Sequence, residues 1–436
     1  MASSSLPRLG LIESLAVLSE VAAPTLAKGV LRRRRPVEGA AEGMALDRRA
    51  VARMTRLRER HGTGPVLLGL PFRLQALVLG REDAERVLKE TPEPFMAASS
   101  EKRAALSHFQ PKGVLASRGP ARAERRALNE RVLETACPVH GLAGRFLAVV
   151  TEETDALLAE AGGELDWDGF VAAWYRIVRR VVLGDAARDD HELTDLLTKL
   201  RKDGNWAFAR PKRRGLRRRF LARLEARVAA APADSLAGLL RAAPKGPDAA
   251  PVQQAPQWLF AFEPAGMATF RALALLAAHP QANAQALAEA AGGDLARLPY
   301  LRTVMLESVR LWPTTPAILR QSNAPTSWGG GAVLPKGAGL LIFTPYFNRD
   351  PALPFADRFA PQIWDGEPAA AAPGITPFSD GPAMCPARNL VLMIGAATLA
   401  RLTLRVAGLA EADRLSADRP MPGTLDNFSL KFRLQA

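Results

Sequence analysis

At 436 residues the chain is long for one ordinary domain and short for three, and its 48% hydrophobic, 23% charged composition is that of a globular chain with a large core. The net charge of +14 raises nucleic acid, anionic membranes and acidic proteins as partners. Nucleic acid is set aside, because the basic residues are not interleaved with aromatics and no zinc-finger or helix-turn-helix pattern occurs. Two cysteines, Cys137 and Cys385, cannot build a disulfide scaffold.

Residues 1–35 read as a helical preface ending in the run Arg32–Arg35. Glu13, Glu20 and Lys28 interrupt its apolar stretches, which speaks against a signal peptide and against a transmembrane segment. The expectation is a cytoplasmic chain. Residues 9–31 are read as a helix packed on the body in preference to one lying peripherally on a membrane. Apolar runs broken by Gly69 and Pro71 predict a β-hairpin over Val66–Leu79, followed by a short helix over Arg81–Glu90. Residues 120–230, rich in Ala, Leu, Arg and Glu at helical spacing, predict several amphipathic helices. Four prolines mark 243–257 as a linker. A long apolar helix follows over Gln257–His279, then one from about Leu298 to Leu311, short strands between 315 and 345, and a last apolar helix over Asn389–Val406. The fold class is mainly α with a small β component.

Two motifs carry chemistry. Phe378, Gly381 and Cys385 lie just before the last helix, where the helix dipole favours a thiolate. Gly381 permits a tight turn and a close approach to a flat ligand, and Phe378 is placed to cover the sulfur. Cys137 lacks both features and is read as structural. Upstream, Glu307 and Arg310 stand three apart among Leu306, Val309 and Leu311, which suits a buried ion pair.

In this order and spacing the motifs resemble the cytochrome P450 family, in its soluble bacterial type. Leu334–Gly337, Asn348–Pro351 and Phe359–Trp364 resemble the segments expected between them, and Gly119–Pro120 with Arg122 and Arg126 resembles the helix beside the haem propionates. The resemblance covers about residues 45–436, read as a single domain with 1–44 as an N-terminal helical extension. It implies the P450 fold, haem b ligated by Cys385, and electrons from a ferredoxin or another separate donor. It also implies propionate contacts from Arg122, Arg126 and Arg320, and Ala317, Ile318 and Leu319 on the substrate side. The implied activity is monooxygenation of a hydrophobic small molecule, with Glu307 and Arg310 as scaffold.

Four departures qualify this. Ile363 stands where the family has an arginine third partner for Glu307 and Arg310, with Arg358 nearby. Ala383 and Ala387 replace a basic residue and a glycine around Cys385. In the long helix, Glu263 aligns with the family's proton-relay acid but Pro264 with its oxygen-activating threonine; Thr269 is rotated away. Proline has no hydroxyl and is expected to kink the helix. Phe260, Phe262 and Pro264 flank the oxygen pocket, helix phase deciding which face it. The alternatives are therefore a peroxide-dependent or oxygen-independent haem-thiolate enzyme (peroxygenase, dehydratase or isomerase) and a non-enzymatic haem binder.

Overall fold

The computed structural model describes residues 6–71, 74–366 and 374–435. The N-terminal part is α1 (Leu11–Val17), a π-helical turn, α2 (Ala23–Lys28), α3 (Arg35–Gly43) and α4 (Leu46–His61). After β1 (Val66–Leu67) and β2 (Gln75–Leu77) come α5 (Arg81–Lys89), β3 (Phe95–Met96) and α6 (Ser100–Leu106). The helical body comprises α7 (Gly119–Val132), α8 (Ala143–Glu160), β4 (Glu164–Asp166), α9 (Trp167–Leu183), α10 (His191–Gly204), α11 (Arg214–Ala229), α12 (Leu236–Ala242), α13 (Ala255–Ala278) and α14 (Pro280–Ala291). The chain closes with α15 (Pro299–Leu311), β5 (Ala317–Ser322), β6 (Thr326–Ser327), β7 (Val333–Leu334), β8 (Gly339–Phe343), α16 (Thr344–Asn348), α17 (Arg388–Thr403), β9 (Val406–Leu409) and β10 (Lys431–Leu434).

Two cores result. The larger is helical: α13, the most apolar helix, is buried along nearly its whole length and packs with α9, α15 and α17. A helix that is apolar all round needs neighbours on every side, so α13 forms the axis of this body; it is also the one described helix long and apolar enough to cross a membrane. Local signals set the neighbours. The Asp166 side chain accepts from Gly169 N–H at 2.9 Å to start α9, and Gly184 at φ +89° ends it. The smaller core lies under a five-stranded sheet, β1-β2-β8-β5-β3, in which only β2 and β8 run parallel. Leu6, Leu9, Val17 and Val21 pack into this sheet core, so the N-terminal segment is part of it.

The expected hairpin is present as the β1–β2 pair, its tip at residues 72–73 lying outside the described residues. The long helix starts two residues earlier than expected, because Pro256 suits a first helical turn instead of ending a linker. The last helix stops at Thr403, because 406–409 pair with β10 as a strand. That three-stranded sheet, β4-β10-β9, was not anticipated.

Candidate functional site

Cys385 sits where the end of a turn meets α17. Its N–H donates to Phe378 O at 2.9 Å, which closes the loop, and both side chains lie half-buried against the helical core. Gly381 adopts φ +63°, the left-handed turn expected of it. The close approach it permits is a correction to the expectation: a Cβ would run into Leu88 O and Lys89 of α5, so the glycine seats the loop on α5. Burial pushes the Cys385 thiol up, against the Ala387 N–H, Arg126 and Arg388, which favour the thiolate. In the bare chain desolvation therefore outweighs the helix-terminus effect. A cation bound at sulfur would reverse that balance.

Around the loop stands a set of cations. The Arg126 guanidinium donates to Met384 O at 2.6 Å and to Glu130, and Arg122 reaches Pro382 O at 3.3 Å. Arg320 on β5 is buried; it donates to Thr91 Oγ1 at 2.9 Å, and burial followed by Arg122 pushes it down to about 10. Lys102 on α6, which sequence reasoning missed, has its ammonium pushed down to about 7 by burial, then by Arg320 and Arg122. Among the described residues no carboxylate pairs with Lys102, Arg122 or Arg320. Arg320 is buried while Lys102 and Arg122 are partly exposed; like charges held together without a counter-ion are costly, so the cluster suits an anion. A haem fits: its two propionates supply that charge beside the one cysteine thiol facing the cluster. The three elements that bring these cations together, α6, α7 and β5, give no common spacing, which is why Lys102 carries no signal in the sequence.

Above the loop, α13 runs as one helix through Pro264, which leaves the Phe260 carbonyl without its helical donor. Phe260 and Pro264, one turn apart, lie on a partly exposed stripe of an otherwise buried helix. Phe260 packs on Phe109 with ring centroids 6.0 Å apart. Phe262 turns the other way: it is buried toward α9, where Trp174 Nε1 donates to its carbonyl at 2.6 Å. Thr269 donates to Ala265 O at 2.9 Å and faces Gly395 of α17, so it is no substitute at position 264. Of the three β5 residues expected to line one side, Ile318 packs into the sheet core; strand alternation puts only Ala317 and Leu319 on the opposite face.

Glu263 is buried and fully engaged. Its carboxylate takes Arg32 on one oxygen, and Arg201 and the Tyr175 hydroxyl (2.8 Å) on the other. Arg32 comes from the N-terminal extension, a contact the sequence did not suggest. Residues 29–35 cross between the end of α10 and the turn before β5. Asn205 Oδ1 accepts from the Leu31 and Arg32 N–H groups at 2.7 and 3.1 Å, and Arg33 donates to Thr314 O at 2.9 Å.

Behind the loop, Glu307 and Arg310 form the expected ion pair at 2.5 Å, both fully buried. The third partner is Trp364, whose Nε1 donates to Glu307 at 2.9 Å, joined by the Ala360 N–H at 2.9 Å. Arg358 contributes only its carbonyl, which accepts from Arg310 at 2.7 Å.

A family model for Cytochrome P450 matches residues 261–405. Cytochrome P450 monooxygenase alnH of Emericella nidulans is 31% identical over 134 residues, 27% of this chain and 24% of that relative. Cyclooctat-9-en-7-ol 5-monooxygenase of Streptomyces melanosporofaciens is 33% identical over 162 residues, 34% of this chain and 33% of the relative. The matches thus span about a quarter to a third of these curated relatives. Retinoic-acid-bound cyanobacterial CYP120A1 aligns with a TM-score of 0.69 at 18% identity, covering 87% of this chain and 93% of that one. The haem domain of cytochrome P450DA aligns at 0.71 and 17% identity, covering 88% and 92%. The matched segment, about a third of the chain, holds α13, the Glu307–Arg310 pair and the Cys385 loop and matches the cytochrome P450 family, and over most of the chain the fold is that of the cytochrome P450 structures.

Proposed function

We propose that the chain is a haem-thiolate monooxygenase acting on a hydrophobic small molecule, with residues 45–436 as one P450 domain and 1–44 as its extension. The observation that carries this is the uncompensated cation set, Lys102, Arg122 and Arg320, beside the Cys385 loop. Cys385 ligates the iron of haem b, and Lys102, Arg122, Arg126 and Arg320 hold its propionates. Haem b supplies the iron centre at which dioxygen is activated. Electrons come from a separate donor of the ferredoxin type. Phe260, Ala317 and Leu319 provide apolar lining on the substrate side, consistent with their partial exposure. Glu263 holds the acid position on α13, and Pro264 removes the hydroxyl that would pass a proton on from it.

A second reading is favoured by Pro264 together with the clamp on Glu263: oxidation driven by peroxide, or an oxygen-independent rearrangement or dehydration. Neither needs an acid–alcohol relay.

The deciding experiment is the absorption spectrum of the reduced, purified protein under carbon monoxide, beside Cys385→Ala. A red-shifted thiolate-type Soret band, lost in the variant, is expected. Absence of haem, or a band unchanged by the substitution, ends this reading.

A further inference from the structure

Three carbonyls of the Cys385 loop, at every second residue, are held by α7 and the turn that follows it. Arg122 reaches Pro382 O and Arg126 donates to Met384 O, both from α7. The third, Pro386 O, accepts from the Thr135 hydroxyl at 2.8 Å. Thr135 stands three residues beyond the end of α7, outside the loop, and no motif in the sequence points to it. Its own position is fixed from two sides. The Thr135 N–H donates to Glu130 O at 3.0 Å, and its carbonyl accepts from Asn389 Nδ2 at 3.0 Å. Asn389 is the second residue of α17, so Thr135 and the start of α17 hold each other by two bonds of opposite direction. Thr135 is partly exposed, so its hydroxyl has water as an alternative partner and is nonetheless directed at Pro386 O.

That carbonyl is one end of the peptide unit joining Pro386 to Ala387. A trans peptide is planar and points its C=O and N–H in opposite directions. The other end is the Ala387 N–H, which bonds the Cys385 sulfur. Fixing the carbonyl therefore fixes the aim of the N–H, and a bond accepted at the oxygen strengthens the one donated at the nitrogen. The unit joining Met384 to Cys385 is held in the same manner, by Arg126 at its carbonyl and by Phe378 O at its N–H. Between the two, Pro386 has no N–H, so Ala387 supplies the first amide after the sulfur.

We infer that Thr135 is a positioning residue for the thiolate: through the Pro386–Ala387 peptide it aims a hydrogen bond at the Cys385 sulfur and so sets how much charge the sulfur passes to the iron. This rests on Cys385 as the haem ligand, as proposed above. A hydrogen bond received at the sulfur draws charge away from the iron, which makes the iron easier to reduce. Without the Thr135 hydroxyl the peptide is free to rock about its plane, and the Ala387 N–H loses its aim.

The test compares wild type, Thr135→Val and Thr135→Ser as purified haem proteins, by potentiometric titration of the iron and by the Soret band of the reduced carbon monoxide form. Thr135→Val keeps the shape of the side chain without its hydroxyl. It should lower the reduced-to-oxidised ratio at a fixed potential by about threefold, about 30 mV for a one-electron couple. On mild heating its thiolate-type Soret band should be lost about threefold faster. Thr135→Ser keeps the hydroxyl and should match wild type in both. If Thr135→Val does not fold or take up haem, Asn389→Ala decides, because it frees the same turn and should move the potential in the same direction. A wild type without a thiolate-type band overturns this inference together with the haem-thiolate reading. With that band present, a Thr135→Val or deciding Asn389→Ala protein at the wild-type potential overturns this inference alone, as does a Thr135→Ser protein that behaves like Thr135→Val.

Discussion

At the scale of single residues, the site keeps its chemistry while changing the side chains that supply it. Glu307 still has three kinds of donor, but an indole one position after Ile363 does what a guanidinium was expected to do. Trp364→Phe removes a donor from a fully buried carboxylate and should cost about 1–3 kcal/mol in denaturant unfolding. Arg358→Ala, at an exposed position that lends only its carbonyl, should stay within about 0.5 kcal/mol. A larger loss for Arg358→Ala than for Trp364→Phe would show that Arg358, and not Trp364, completes the pair. Lys102 gives a pH signature. Its folded pKa of about 7 lies below the ordinary 10.5, so between those values the unfolded chain binds more protons. Stability of the haem-free chain should therefore rise with pH across that window. Lys102→Met should flatten the rise, stabilise the haem-free chain at neutral pH, and speed haem loss by about tenfold. A melting temperature whose pH slope survives Lys102→Met would remove Lys102 from the cation set.

At the scale of elements, α13 was legible because its apolar run is long and continuous, and so were α15 and α17, each ended or preceded by proline or glycine signals. The strands β4, β9 and β10 were not: at three or four residues they carry too little alternation, and their pairing joins residues 164–166 to 431–434 across most of the chain. Helix phase was equally hidden. Only packing reveals that Phe262 turns to Trp174 while Phe260 and Pro264 share the open stripe. That stripe makes Pro264 testable as an element-level switch. Pro264→Thr restores a backbone donor for Phe260 O and puts a hydroxyl on the stripe one residue after Glu263. Electron-driven turnover should become better coupled, by about tenfold or more, while peroxide-driven turnover changes little. Unchanged coupling in both modes would mean that proton delivery runs elsewhere.

At the scale of the whole molecule, the N-terminal extension is tied to the centre by charge. Two guanidiniums from distant segments, Arg32 and Arg201, converge with Tyr175 on one carboxylate of α13. Arg201 is buried, whereas the Arg32 side chain is about a quarter exposed, so the two arginines are not equivalent. Glu263→Gln strands a buried guanidinium and should cost about 3–5 kcal/mol. Arg32→Ala leaves Glu263 with Arg201 and Tyr175 and should cost less, about 1–2 kcal/mol. If the carboxylate is what holds the strap, Arg32→Ala in the Glu263→Gln background should add little, so the double variant falls short of additivity by about 1 kcal/mol or more. Trypsin offers an independent reading, because Arg32, Arg33 and Arg34 are cleavage points that docking protects, whereas Arg35 precedes Pro36 and is not cut. Cleavage at Arg33 and Arg34 should accelerate in both Glu263→Gln and Arg32→Ala. Strictly additive stabilities and unchanged cleavage would mean that Asn205 and the backbone contacts of residues 31–32 hold the strap alone, leaving the acid on α13 without a link to the N-terminus.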